Sequence, residues 1–118
     1  MRAAWIRRER VILIDAALNK IERRCALAHE IAHIDAGDRS TPLCWFDRRQ
    51  ENRADILAAR RLIDLESLVA VYRLTDNILE AAAELEVTLD VMVLRAGTLR
   101  APEKIALVNA RARHEVVA

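Results

Sequence analysis

Residues 19–37 read NKIERRCALAHEIAHIDAG, and the reading of this stretch decides the fold. Asn19 followed three residues later by Glu22 is the signature of a capping box, so a helix is expected to open at about Lys20. Gly37 is the residue type that ends helices in a left-handed turn, so the helix should close at about Ala36. Cys25, Ala28, His29, Ala32 and His33 then share one face. Within the helix stands His29-Glu30-Ile31-Ala32-His33, an H-E-x-x-H string. Its two histidines lie one turn apart on that face, and two neutral imidazoles so placed can grip one Zn²⁺. Glu30 falls beside the ion rather than on it, where it could take a proton from an attacking water.

Two histidines do not complete a zinc site; a catalytic zinc usually takes three protein ligands. The next helical stretch supplies a third. Asp47 with Gln50 offers a second capping box, and a helix is expected from about Arg48 to Leu65. Glu51 and Asp55 are four apart on it, so both carboxylates face one way. One can bind zinc, and the other can accept the Nδ1–H of a ligating histidine. Ala54 between them is small enough for the two helices to approach closely. Asp35 and Asp38 sit at the end of the first helix, which points them poorly at a metal. Cys44 would be a ligand only if the loop 38–46 folds back; beside Trp45 and Phe46 it reads as a small apolar core residue.

Upstream, residues 3–7 and 10–14 read as two short strands joined by a tight hairpin at Arg8-Glu9. Val11-Ile12-Leu13-Ile14 has the look of a buried strand. Downstream come shorter helices: residues 68–74; residues 77–85, capped by Asp76; a helix after Thr88 ending at Gly97; and a last one from Pro102 to about His114. Residues 81–92 look like a helix-turn-helix. Its second helix offers Thr88, Asp90, Val91 and Arg95, with Glu84 and Glu86 just before it. Negative charge there repels phosphate, so this unit reads as a packing or protein-docking element with no nucleic-acid contact expected. The whole is expected to be α+β and mostly helical: a short N-terminal hairpin packed on the H-E-x-x-H and Glu51–Asp55 helices, then a bundle of short helices.

The chain has 118 residues, the size of a single domain, with a metal-site core over 1–65 and a helical part over 66–118. Only two Gly and two Pro argue against an all-β fold. The net charge of +1 gives no polyelectrolyte argument for nucleic acid. Residues 1–61 hold 13 Arg and Lys against 9 Asp and Glu, and residues 62–118 hold 6 against 9, so the site lies in the mildly basic half. No apolar run is long enough for a membrane span, and Arg7, Arg8, Glu9 and Arg10 interrupt any leader-like segment. Two cysteines make no disulfide framework; a reducing cytoplasm is expected.

The order of strand pair, H-E-x-x-H helix, loop and Glu51-Asn52-Arg53-Ala54-Asp55 helix resembles the ImmA/IrrE family of small bacterial metallopeptidases. The resemblance covers residues 12–65 well and continues more weakly to Leu99, where the family carries a helix-turn-helix-like part. It implies that His29, His33 and Glu51 bind zinc, that Glu30 is the general base, and that Asp55 backs a ligating histidine, His29. It implies a minimal, phage-type peptidase whose substrate or partner is an Xre-like helix-turn-helix repressor in the bacterial cytoplasm. The chain departs from its relatives at Ala32, where they often carry Gly, and at residues 34–36, where they often carry a further His. A tetrahedral oxyanion needs a donor besides the metal, and Tyr72 and His114 are the residues considered for it. The competing reading is a non-catalytic module that keeps the fold and regulates a repressor by docking on it. Glu30 argues for the peptidase, because a pure binder has no need of it.

Overall fold

The computed structural model describes residues 3–39 and 44–117, with backbone alone at 44, 46 and 113–117. The chain divides into two compact units, Met1–Leu62 and Ile63–Ala118. The fold is α+β and mostly helical, with a two-stranded antiparallel sheet at the N-terminus.

In the first unit β1 (Ala3–Ile6) pairs with β2 (Val11–Ile14), Ala3 opposite Ile14 and Ile6 opposite Val11. The connection is a four-residue loop rather than a tight two-residue turn. The Arg10 N–H donates to the Arg7 carbonyl (3.3 Å), and Arg10 takes the left-handed conformation at φ 56°. Arg8 and Glu9 both disfavour the positive φ that a two-residue turn demands, so the loop lengthens by one residue on each side. β2 is not a buried strand. Val11 and Leu13 face outward, while Ile12 and Ile14 are half-buried, the alternation of a sheet covered on one face. That covered face packs on α1 (Lys20–Ala36).

Helix α1 is closed at both ends as its sequence demands. The Asn19 side chain accepts from the Glu22 N–H (2.8 Å), and the Glu22 carboxylate accepts from the Asn19 N–H (3.0 Å). Gly37, at φ 69°, ends the helix in a Schellman turn, with Asp38 N–H bonded to the His33 carbonyl and Gly37 N–H to that of Ile34. Helix α2 (Cys44–Leu62) begins one turn earlier than Asp47 suggested and ends at Leu62. The second capping box does not form, because Asp47 falls within the first turn and the Gln50 amide is drawn to the backbone of Arg39 instead. The seam between α1 and α2 is built of alanine. Ala32, Ala54 and Ala58 are buried together, with Ala28 and Leu57 against them. Side chains this small let the backbones approach, and that closeness brings polar groups of the two helices within hydrogen-bond reach.

The second unit holds α3 (Leu65–Leu74), α4 (Ile78–Glu84), α5 (Leu89–Gly97) and α6 (Ala101–Val117). Its core gathers Leu68, Val71, Ala81, Ala82, Val87, Met92 and Leu107. Asp64 caps α3 by accepting from Ser67 N–H (2.8 Å), which starts that helix a turn before Leu68. Asn77, not Asp76, caps α4, accepting from Leu79 and Glu80 N–H. Thr88 caps α5. The turn between α4 and α5 passes through Glu86 in the left-handed conformation at φ 54°. Arg95, the sole cation of α5, is 1 % exposed. Its Nε donates to the Ile63 carbonyl (2.7 Å) and its Nη2 to Glu103 Oε2 (2.8 Å), while Glu103 Oε1 accepts from Arg100 N–H at the start of α6. The outer face of α5 shows Leu89, Asp90 and Val93 instead. No helix among the described residues is long and apolar enough to cross a membrane.

Candidate metal centre

The two histidines of α1 point their Nε2 atoms at one place. These atoms stand 3.0 Å apart, and Glu51 of α2 reaches both: Oε2 lies 3.0 Å from His29 Nε2 and Oε1 2.9 Å from His33 Nε2. The one-turn spacing on α1 sets the first distance, and the alanine seam sets the other two.

Each ring is held from behind by a second carboxylate. Asp55 Oδ1 is 2.7 Å from His29 Nδ1, and Asp38 Oδ2 is 2.9 Å from His33 Nδ1. An ionised carboxylate only accepts, so each Nδ1 is the N–H that donates. On neutral rings both Nε2 atoms then carry lone pairs, and Glu51 adds a third acceptor. Three acceptors within about 3 Å repel one another unless a cation lies between them. The donor set of two imidazoles and a carboxylate is that of a catalytic zinc site. Zinc bonds of about 2.0–2.1 Å at tetrahedral angles put ligand atoms about 3.3 Å apart, a few tenths of an ångström from the observed spacings. The residues therefore fit a divalent ion.

Beside this cluster opens a cleft of about 460 Å³, which Glu30, His33 and Glu51 line together. Among the described residues the Glu30 carboxylate has no hydrogen-bond partner, and it lines the cleft. The opposite wall is β1, through Ala3, Ala4 and Trp5. Consecutive residues of a strand face opposite ways, so lining by three in a row means that the cleft runs along the edge of β1 rather than over its face. Among the described residues β2 is the only strand paired with β1, which leaves that edge with free backbone groups. Arg7 and Arg39 also border the cleft.

The structure brings together His29, His33, Glu51 and Asp55, with Glu30 alongside. Asp35 turns away, paired with Arg61 at 2.6 Å. Asp38, as its place at the helix end suggests, is not aimed at the shared point; it lies behind His33 instead, its side chain 6 % exposed, with its other oxygen on Arg53 (3.2 Å). The signal was present in the sequence, because a Schellman turn at Gly37 carries residue 38 back beside residue 33. Gln50, which the sequence offers as half of a capping box, instead clamps Arg39 by accepting from its N–H (3.0 Å) and donating to its carbonyl (2.7 Å). The side chain of Cys44 lies outside the described residues. Tyr72 and His114 belong to the second unit. The Tyr72 ring lies under the Arg111 guanidinium at 4.0 Å, and the His114 side chain is outside the described residues.

No curated protein and no solved structure matches the chain. One protein family does, over residues 2–96, and it is described as the IrrE N-terminal-like domain of the M78 peptidases. The match takes in the hairpin, both site helices and the helices through α5. With a peptidase family's pattern running through the helices that build a metal-fitting cluster, the chain belongs to the IrrE N-terminal-like family and is a metallopeptidase-like domain.

Proposed function

We propose that this domain is a zinc-dependent endopeptidase that works in the cytoplasm and cuts a DNA-binding regulator, an Xre-like helix-turn-helix repressor of a phage or mobile element. The observation that carries the peptidase reading is the convergence of His29 Nε2, His33 Nε2 and Glu51 on one point, with Glu30 in the same cleft. The substrate follows from what the family resemblance implies.

His29, His33 and Glu51 would hold the ion. When bound, it supplies Lewis acidity, polarising a peptide carbonyl and easing deprotonation of water. Glu30 takes the proton from the attacking water and passes it to the leaving amine. The free edge of β1 pairs with the substrate backbone, fixing an extended peptide along the cleft. Arg7 and Arg39 border that cleft and carry the cationic N–H groups that can meet a developing oxyanion.

A Glu30→Gln variant tests this. Wild type loaded with one equivalent of zinc should cut a purified repressor of this class. The variant should keep its zinc and lose on the order of 10²–10⁴ in rate, the usual worth of a positioned base. Equal cleavage by both proteins would remove Glu30 from the chemistry. Tight binding of the repressor by both, with cleavage by neither, would make the domain a docking module.

A further inference from the structure

We propose that Asp38 is the positioning residue of this centre, the group that aims His33 at the metal. The inference rests on the zinc reading above and deepens it. Four observations carry it. The Asp38 carboxylate meets His33 Nδ1 at 2.9 Å, which fixes the tautomer that leaves Nε2 free to ligate. The Asp38 backbone cannot swing, because its N–H is bonded to the carbonyl of His33 itself (3.0 Å). Its second oxygen is occupied by Arg53 Nη2 (3.2 Å), and the next residue is clamped at N–H and carbonyl by Gln50. Finally, Asp38 is 6 % exposed whereas Asp55, which backs His29, is 51 % exposed. Water competes little for the first contact and freely for the second, so the His33 arm is the stiffer of the two.

The arrangement also explains why α2 carries polar residues at 50 and 53 as well as 51 and 55. Glu51 and Asp55 reach the histidines directly, while Gln50 and Arg53 hold the turn that bears Asp38. A merely structural role, in which Asp38 only ties the end of α1 to α2, predicts lower stability with unchanged metal affinity.

Zinc affinity of the full chain, measured by competition with a chromogenic chelator on protein shown to be folded by circular dichroism, separates the two. Asp38→Ala should weaken zinc ten- to a hundredfold, the range for removing a carboxylate behind a ligating histidine. Asp38→Asn, which keeps an acceptor but not the charge, should fall between Asp38→Ala and wild type. Asp35→Asn, in the last turn of α1 and paired with Arg61, should bind like wild type. A folded Asp38→Ala protein within tenfold of wild type overturns the inference while leaving the metal centre intact. If Asp38→Ala does not fold, Asp38→Asn carries the test, and wild-type affinity in that variant overturns it. A wild-type chain that takes up no zinc overturns this inference together with the zinc reading beneath it.

Discussion

The alanine seam between α1 and α2 sets the distance from Glu51 to both histidines, and Ala54→Leu tests that dependence. Ala54 is 2 % exposed and packs with Ala32, which is fully buried. Leucine adds three carbons where there is no room, and overpacking of this kind costs about 1–3 kcal/mol. At ~2.1 cal/mol/K per residue, unfolding of a chain of this length has an entropy of roughly 0.25 kcal/mol/K, so the apo protein should melt about 4–12 °C lower. The larger effect falls on the metal. Glu51 sits one turn before Ala54 on the same helix, and a retreat of α2 by about 1 Å breaks contacts that now measure 2.9–3.0 Å. At free zinc a hundredfold above its dissociation constant, wild type gains about 2.7 kcal/mol, or about 11 °C. If the variant binds about a hundredfold more weakly, a change at the upper end for disturbing a ligand's surroundings, the gain shrinks to about 0.4 kcal/mol, or about 2 °C. Thermal melts with and without zinc read both numbers. An Ala54→Leu protein whose apo melting point falls but whose zinc-induced rise equals that of wild type would refute the claim that this seam positions Glu51.

Two further substitutions probe the turns that frame the units. Gly37 stands at φ 69° with nothing within 4 Å of where a Cβ would be, so Gly37→Ala meets only the backbone cost of the left-handed conformation. Urea unfolding should show a loss of about 1–2 kcal/mol, and an unchanged midpoint would mean that the Schellman turn had re-formed in another way. In the second unit the Ser67 N–H holds the Asp64 carboxyl below its ordinary value, aided by the Ser67 side chain and by Arg95. A depressed carboxyl contributes stability that is complete above its unfolded value, near 4, and fades as pH falls through the folded one. The stability difference between wild type and Asp64→Asn should stay level from pH 7 to 5 and shrink below about pH 4. A difference that keeps one value down to pH 2 would show that the charge at Asp64 takes no part.

Much of the first unit can be read from single residues. Asn19 with Glu22 and Gly37 mark both ends of α1, because each is a local signal whose partner lies within a few positions. The facing of His29, His33, Glu51 and Asp55 is also legible, since each pair is separated by one helical turn and the alanines show where the helices touch. What escapes is decided by competition between partners. Gln50 looks like half of a capping box, yet a backbone segment outside its own helix offers it two hydrogen bonds instead of one. Asp76 and Asn77 are both good caps standing side by side, and only the register of α4 selects Asn77. Arg95 reads as a surface cation on a short helix. Its burial depends on Glu103, eight residues on, and on the carbonyl of Ile63, which no periodicity reveals. Val11 to Ile14 reads as buried because its residues are apolar, but α1 covers one face of the sheet, and among the described residues Val11 and Leu13 stay exposed.

The turn at Gly37 divides the metal centre by separation along the chain. His33 and its carboxylate are five residues apart, whereas His29 and Glu51 are twenty-two apart. Segments of five residues meet within tens of nanoseconds, before helices have time to dock, so one arm of the centre is in order early in folding. The other arm waits for α2, at an added closure entropy of about 1.3 kcal/mol. Lengthening the connection between the two helices taxes only that second arm, and doubling it costs about 0.6 kcal/mol. A single residue inserted between His33 and Asp38, by contrast, would undo the first arm altogether.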